Sequence, residues 1–238
     1  MARAAGEGSL PDWQTYPHEV LAVVLSVRDG RLSVLMWQRA KAPFARRWAL
    51  PGGGVLAHER LRAAITRHLA EKVEVRELMH LEQLATHSNV HRDPRGRVLA
   101  TAYLGIVPTS ATPVLPADTT WQPVDELPAT AFDHIDFITA AVERLRAKLS
   151  YTNVGHALAP DEFTLAELRD IFSAALGYPV AQTNLARVMD RRHLIEPTGR
   201  RSAPGHAGGR PAMTYRFRSR ELSVTDPFAT LRPPRRKR

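Results

Sequence analysis

The sequence predicts an α/β chain in two parts: a domain of strands around two helices, then, after residue 150, a smaller basic domain. Three observations predict it. Two apolar runs, VLAVVLSV and LSVLMW, flank Asp29-Gly30, and Asp-Gly between such runs is a strong hairpin signal because both residues tolerate positive φ. From Glu59 to Lys72 the apolar residues take helical spacing, with Leu61, Ala64, Ile65 and Leu69 on one stripe. Charge is divided unevenly: residues 1–150 carry 18 basic and 16 acidic side chains, residues 151–238 carry 15 and 8, and 14 of those 15 follow Arg169.

The elements follow in order. The Asp29-Gly30 hairpin spans His18 to Arg39. A polar, basic loop from Ala40 to Arg47 leads to Trp48-Ala49-Leu50-Pro51 and three glycines, then to the helix ending near Lys72. Leu78 to His87 and Val98 to Val107 read as a second hairpin around the turn His91–Gly96. Asp133 to Leu149 reads as one amphipathic helix with Ile135, Ile138, Val142 and Leu145 inward. Beyond Ser150, Thr164-Leu165-Ala166-Glu167 is a capping box, opening a helix with Leu165, Leu168, Ile171, Phe172 and Ala175 on one side and ending at Gly177. A second helix spans Ala181 to Arg192 with Leu185, Val188 and Met189 inward. Two short strands, Leu194-Ile195 and Met213–Phe217, are joined by a loop from Gly199 to Pro211. Helix, turn, helix and hairpin is the order of a winged helix-turn-helix.

Composition narrows the function classes. Absence of cysteine from 238 residues excludes disulfides, thiolate catalysis and cysteine-held zinc or iron–sulfur sites. The longest apolar runs, such as Val20 to Leu25, are far short of the ~20 residues of a membrane span, and residues 1–12 lack the apolar stretch of a signal peptide. A cytoplasmic protein with no membrane partner is the expectation. The basic last third calls for a polyanion.

The segment Leu50 to Val75 carries the most chemical information. Gly53, Glu59, Arg67, Leu69, Glu71 and Val75 stand at the spacing of the Nudix box, G-x5-E-x7-R-E-U-x-E-E-x-G-U, where U is bulky and aliphatic. Residues 17–150 thereby resemble a Nudix-type α/β/α sandwich. Arg39, Phe44 and the run Trp48–Gly53 resemble the approach to that box in Nudix enzymes acting on ADP-ribose. Three positions depart: His68 and Lys72 stand where the family has glutamates, and Glu74 where it has glycine. Residues 68, 71 and 72 share a helix face, where three carboxylates would gather divalent cations. One carboxylate beside an imidazole and an ammonium is a poor Mg²⁺ site, so no catalytic residue, no metal ligand and no required cofactor are assigned. A diphosphate can still be held by positive charge and backbone N–H groups. The resemblance places such a ligand, ADP-ribose or a related nucleotide, against Arg39, Phe44, Trp48, Gly52, Gly53, Gly54, Glu59, Arg67, Glu71 and Lys72. An aromatic beside a glycine loop can equally be core, and that alternative stays open for Phe44 and Trp48.

The second helix of the basic domain carries Gln182, Thr183, Asn184, Arg187, Arg191 and Arg192 on its polar side. Amides, a hydroxyl and arginines are the groups that read base edges or hold phosphates, and the loop adds Arg200, Arg201 and Arg210. Between Arg187 and Arg220 nine basic residues face two acidic ones, which argues against a merely solvated interaction module. The combination resembles the Nudix-related transcriptional regulators of NAD metabolism, with Leu165–Gly177 and RVMDRRHLIEP (Arg187–Pro197) fitting their C-terminal pattern. The resemblance implies a homodimeric repressor of NAD biosynthesis genes that binds a double-stranded DNA operator and responds to a nucleotide. Competing readings are an active Nudix hydrolase carrying a nucleic-acid-tethering domain, and an architectural nucleic-acid binder without ligand. The expected boundaries are a flexible terminus at 1–16, a sensing domain at 17–150, a winged helix-turn-helix at 151–220 and a basic disordered tail at 221–238.

Overall fold

A computed structural model describes residues 15–75, 78–202 and 211–226. The expected hairpin forms from β1 (His18–Arg28) and β2 (Arg31–Gln38), and Asp29 and Gly30 both take positive φ in its turn. Short strands β3 (Trp48–Ala49) and β4 (Gly52–Gly54) lead to helix α1 (Leu61–Lys72). Then come β5 (His80–His87), β6 (Leu99–Ile106), β7 (Thr119–Pro123) and helix α2 (His134–Tyr151). The seven strands form one sheet whose main path runs β3-β2-β1-β6-β5, with β4 paired to β1 and β7 to β2. The β1–β6 pair is parallel and the others are antiparallel.

Strand β1 lies at the centre and is covered on both faces, which is why its apolar run is unbroken rather than alternating. Val20, Ala22 and Val24 pack with Ala64, Ile65 and Leu69 of α1. Leu21, Val23 and Leu25 pack with Phe137, Ile138, Ala141 and Leu145 of α2. Ile135 departs from expectation: it is 41% exposed, because the stripe that meets the sheet runs through Phe137 and Ala141 instead.

After α2 a short 3-10 helix (Val154–Ala157) leads to β8 (Phe163–Thr164), α3 (Leu165–Leu176), α4 (Gln182–Arg191), β9 (Ile195–Arg201) and β10 (Met213–Phe217). The capping box forms as read: the Thr164 hydroxyl accepts from the Glu167 N–H and Glu167 accepts from the Thr164 N–H. Gly177 ends α3 at φ 81°. Strands β8, β10 and β9 form a small sheet in that order. Strand β9 extends to Arg201, past the expected start of the loop at Gly199, with a register shift between Met213 and Tyr215 of β10. Residues 203–210 lie outside the described residues.

No gap separates the two parts. The core on the α2 side of the sheet continues through Val154 and Phe163 to Phe172, Leu185 and Met189. The expected tail boundary also moves: Ser223 N–H donates to Asn153 Oδ1 at 2.7 Å, and Val224 bridges Thr152. Residues 221–226 are thus tied to the start of the second part, while 227–238 lie outside the described residues, as do 1–14 of the expected flexible terminus. No described helix is long and apolar enough to cross a membrane.

Candidate functional site

Strand β4 lays its glycines along the head of β1, with Gly52 opposite Leu21, Gly53 opposite Val20 and Gly54 opposite Glu19. Only glycine permits this approach: a Cβ on Gly52 would stand 2.1 Å from the Val20 carbonyl oxygen, and one on Gly53 would stand 2.7 Å from His68 Cε1. Helix α1 lies below. His68 Nε2 donates to the Gly54 carbonyl at 3.0 Å and Lys72 Nζ to the Gly52 carbonyl at 2.6 Å. Burial lowers the pKa of both side chains, with the neighbouring Arg39 charge lowering Lys72 further. An imidazole and an ammonium therefore fill the face where the Nudix pattern places carboxylates.

The remaining carboxylates of the box are turned to Arg67. Its guanidinium pairs with Glu59 and, at 3.4 Å, with Glu71. Glu59 also accepts from the Leu56 N–H, and its bond to Arg67 holds its carboxyl below the usual range. This cluster fastens the glycine loop to α1.

A cavity of about 490 Å³ opens above the glycines. Of the ten ligand residues read from the sequence, Arg39, Gly52, Gly53, Gly54 and Lys72 line it; Phe44, Trp48, Glu59, Arg67 and Glu71 do not. Trp48 pairs through β3 with Gln38 and packs against the core. Phe44 is 40% exposed and meets the wall only edge-on, its ring 4.9 Å from that of Phe132. The aromatic wall is instead Trp37 and Phe132. Cations alternate with these rings: Arg95 lies 5.7 Å from Phe132, Arg39 lies 4.8 Å from Phe132 and 6.0 Å from Trp37, and Lys72 lies 5.6 Å from Trp37. Each ring holds a positive charge at its face, so the column presents three cations at fixed spacing.

Beneath this wall sits a buried ion network. The Arg92 side chain, 1% exposed, pairs with both Asp133 oxygens and with Glu19 at 2.7 Å. Asp133 also accepts from His87 Nδ1. Although burial raises the Asp133 carboxyl, these two donors outweigh it and hold its pKa low. Arg92 so fixes the β5–β6 loop that carries Arg95 and Arg97 to the cavity.

On the second part of the chain, Gln182, Thr183, Asn184, Arg187 and Arg191 are exposed on one side of α4, over a buried Leu185 and Met189. Arg187 and Arg191 have no carboxylate partner among the described residues. Arg192 is a correction: its side chain is 10% exposed, donates to the Ser150 carbonyl and pairs with Asp226 at 2.8 Å. The helix ends at Arg191, and the turn that follows swings residue 192 back onto the end of α2. Arg200 pairs with Glu162, and Arg201 donates to the Pro211 carbonyl. Arg216 and Arg218 share Glu196. Arg210 lies outside the described residues.

A glycine strand feeding a helix under a mixed sheet, with a helix on the other face, defines a Nudix fold, and the second part is a winged helix. The NUDIX domain family matches residues 16–141 and the NrtR DNA-binding winged helix domain matches residues 155–217, so the chain belongs to the Nudix family, in the NrtR type that carries a C-terminal winged helix. It is 32% identical over 222 residues to the ADPR responsive transcriptional repressor NtrR of Acinetobacter baylyi, covering 89% of this chain and 87% of that protein. The crystal structure of Shewanella oneidensis NrtR complexed with a 27mer DNA is similar at TM-score 0.74 and 33% identity, over 84% of this chain and 92% of that one. The NUDIX domain of the same Shewanella protein, complexed with ADP ribose, matches at TM-score 0.50 and 33% identity, over 58% of this chain and 94% of that one.

Proposed function

We propose that this chain is a transcriptional repressor that binds operator DNA through α4 and the wing, and whose Nudix domain senses ADP-ribose or a related nucleotide without hydrolysing it. The observation that carries the sensing half is the column of Arg95, Arg39 and Lys72 interleaved with Phe132 and Trp37 above the glycine strand. It supplies charge for a diphosphate and flat apolar faces for a sugar or base. The residues do not fit the divalent cation of the Nudix reaction. His68 and Lys72 are bonded to glycine carbonyls where carboxylates would be needed, and Glu59 and Glu71 are spent on Arg67. No hydrolytic step is therefore assigned.

DNA binding rests on α4. The N-terminal residues of a recognition helix meet base edges, and here they are Gln182, Thr183 and Asn184, with Arg187 and Arg191 one and two turns on. The likeness to the Acinetobacter repressor and to Shewanella NrtR in complex with DNA and, through its NUDIX domain, with ADP ribose supports both halves, and NAD biosynthesis genes are the targets that this kinship proposes. The protein acts as a homodimer on a palindromic operator, its two recognition helices about one DNA turn, ~34 Å, apart. A mobility shift with the protein's own upstream region tests the proposal. Saturating ADP-ribose is expected to change affinity by a factor of about 5–150, the usual span of allosteric coupling. Affinity untouched by ADP-ribose, NAD and related dinucleotides would leave an architectural DNA binder in its place.

A further inference from the structure

His134, the first residue of α2, lines the cavity and carries a ring donor that the reading above does not use. His134 is 2% exposed, and its ring forms part of the wall beside Leu50, Gly52 and Phe132. Its Nδ1 lies 3.0 Å from the Leu50 backbone nitrogen. A backbone N–H can only donate, so Nδ1 is the acceptor and the ring proton sits on Nε2. Burial pushes the imidazole pKa down to about 3, which keeps the ring neutral and its tautomer fixed. Nε2–H is then a buried donor with no acceptor among the described residues. Such a group carries the cost of lost hydration until something accepts from it.

Its surroundings select the acceptor. Arg39 and Lys72 line the same cavity. The N-terminus of an 18-residue helix favours negative charge next to His134. Arg92 pairs with both the adjacent Asp133 and the lining Glu19, and the lining cations Arg39, Lys72, Arg95 and Arg97 outnumber that one lining carboxylate, so the cavity favours an anion.

We propose that His134 Nε2–H donates a hydrogen bond to an anionic oxygen of the diphosphate held in the cavity, making the first residue of α2 a direct ligand contact. The inference rests on the reading of this cavity as a nucleotide site. It adds the point where the ligand meets the helix that runs to the winged helix.

Two substitutions in the full-length chain separate the ring's two nitrogens. His134→Asn keeps an acceptor near the Leu50 N–H and removes the outer donor; His134→Gln carries an amide to the Nε2 position and gives up the Leu50 bond. By calorimetric titration ADP-ribose should bind His134→Asn roughly 10–100-fold more weakly than wild type. His134→Gln should retain more of the affinity despite a lower melting temperature. In the wild-type chain labelled with ¹⁵N-histidine, the Nε2–H resonance of His134 should shift on adding ADP-ribose or pyrophosphate and stay in place with adenosine. Wild-type affinity in His134→Asn, or an Nε2–H resonance unmoved at saturating ADP-ribose, would overturn the inference while leaving the cavity a nucleotide site. A wild-type chain that binds neither ADP-ribose nor pyrophosphate would overturn the cavity reading itself, and this inference with it.

Discussion

Lys72 Nζ reaches back from the last turn of α1 to the Gly52 carbonyl, 2.6 Å away and twenty residues earlier in the chain. The contact places an ammonium under the glycine strand, where it faces the cavity and the Trp37 ring at once. A fixed positive charge at that point attracts a diphosphate but repels the cation that would help cleave one.

Catalysis should therefore be negligible. With Mg²⁺ and ADP-ribose, release of ribose phosphate should fall far below ordinary enzyme turnover, about 1 per second or more. The pair His68→Glu and Lys72→Glu should recover metal affinity before it recovers rate, because turnover also needs groups that orient the metal ligands, which these two changes do not supply.

Lys72→Glu should abolish the effector response and leave DNA affinity without ligand nearly intact. The pH dependence has a definite sign. Burial and Arg39 lower the Lys72 pKa, and an anionic ligand favours the charged ammonium. Above the lowered pKa, binding must take up a proton, so ADP-ribose affinity should fall as pH rises. Titrations in buffers of different ionisation enthalpy should detect that uptake in wild type and miss it in Lys72→Met.

On the DNA side, Arg187→Ala and Arg191→Ala should each weaken operator binding; where one reads a guanine, the loss is ~1–3 kcal/mol and confined to that site. Arg192→Ala should behave differently, lowering the melting temperature while sparing operator sequence preference, because its guanidinium binds Ser150 and Asp226. Fluorescence anisotropy on operator and scrambled duplexes, beside thermal melts, separates the two outcomes.

His134 gives an acid-side signature. Its pKa is about 3 in the folded chain against 6.5 for the ordinary group. Between those values the unfolded chain binds a proton that the folded chain refuses, so stability falls as pH drops from 6.5 towards 3. The slope from this one group approaches ~1.4 kcal/mol per pH unit within the window. Denaturant melts should show wild type losing ground relative to His134→Asn over that range.

What the sequence made legible follows from how local each signal was. Arg39, Gly52–Gly54 and Lys72 belong to a spaced motif, and the Thr164–Glu167 cap needs only four consecutive residues. Trp37, Arg95, Phe132 and His134 reach the cavity from β2, the β5–β6 loop and the start of α2, and nothing nearby in sequence marks them. The three-dimensional pairing of β4 with β1 brings them together. Trp48 misled for the same reason: it adjoins the glycines along the chain, but its pairing with β2 directs it to the core. Phe132 at φ 50° carried a strained backbone that no side-chain pattern foretells.

The apolar core that runs unbroken from Leu25 and Leu145 through Phe172 to Leu185 has a thermodynamic corollary. Domains joined by a free linker melt separately, whereas halves that share buried side chains unfold as one cooperative unit. A calorimetric scan of this chain should give a single endotherm, and ADP-ribose should move all of it, the DNA-binding half included. The same continuity makes the winged helix a poor graft: cut out after α2, it would lose the β1, β2 and α2 side of the core in which Leu168 and Phe172 are buried. Sensor and reader here are two ends of one folding reaction, so neither can be traded for another without rebuilding the seam between them.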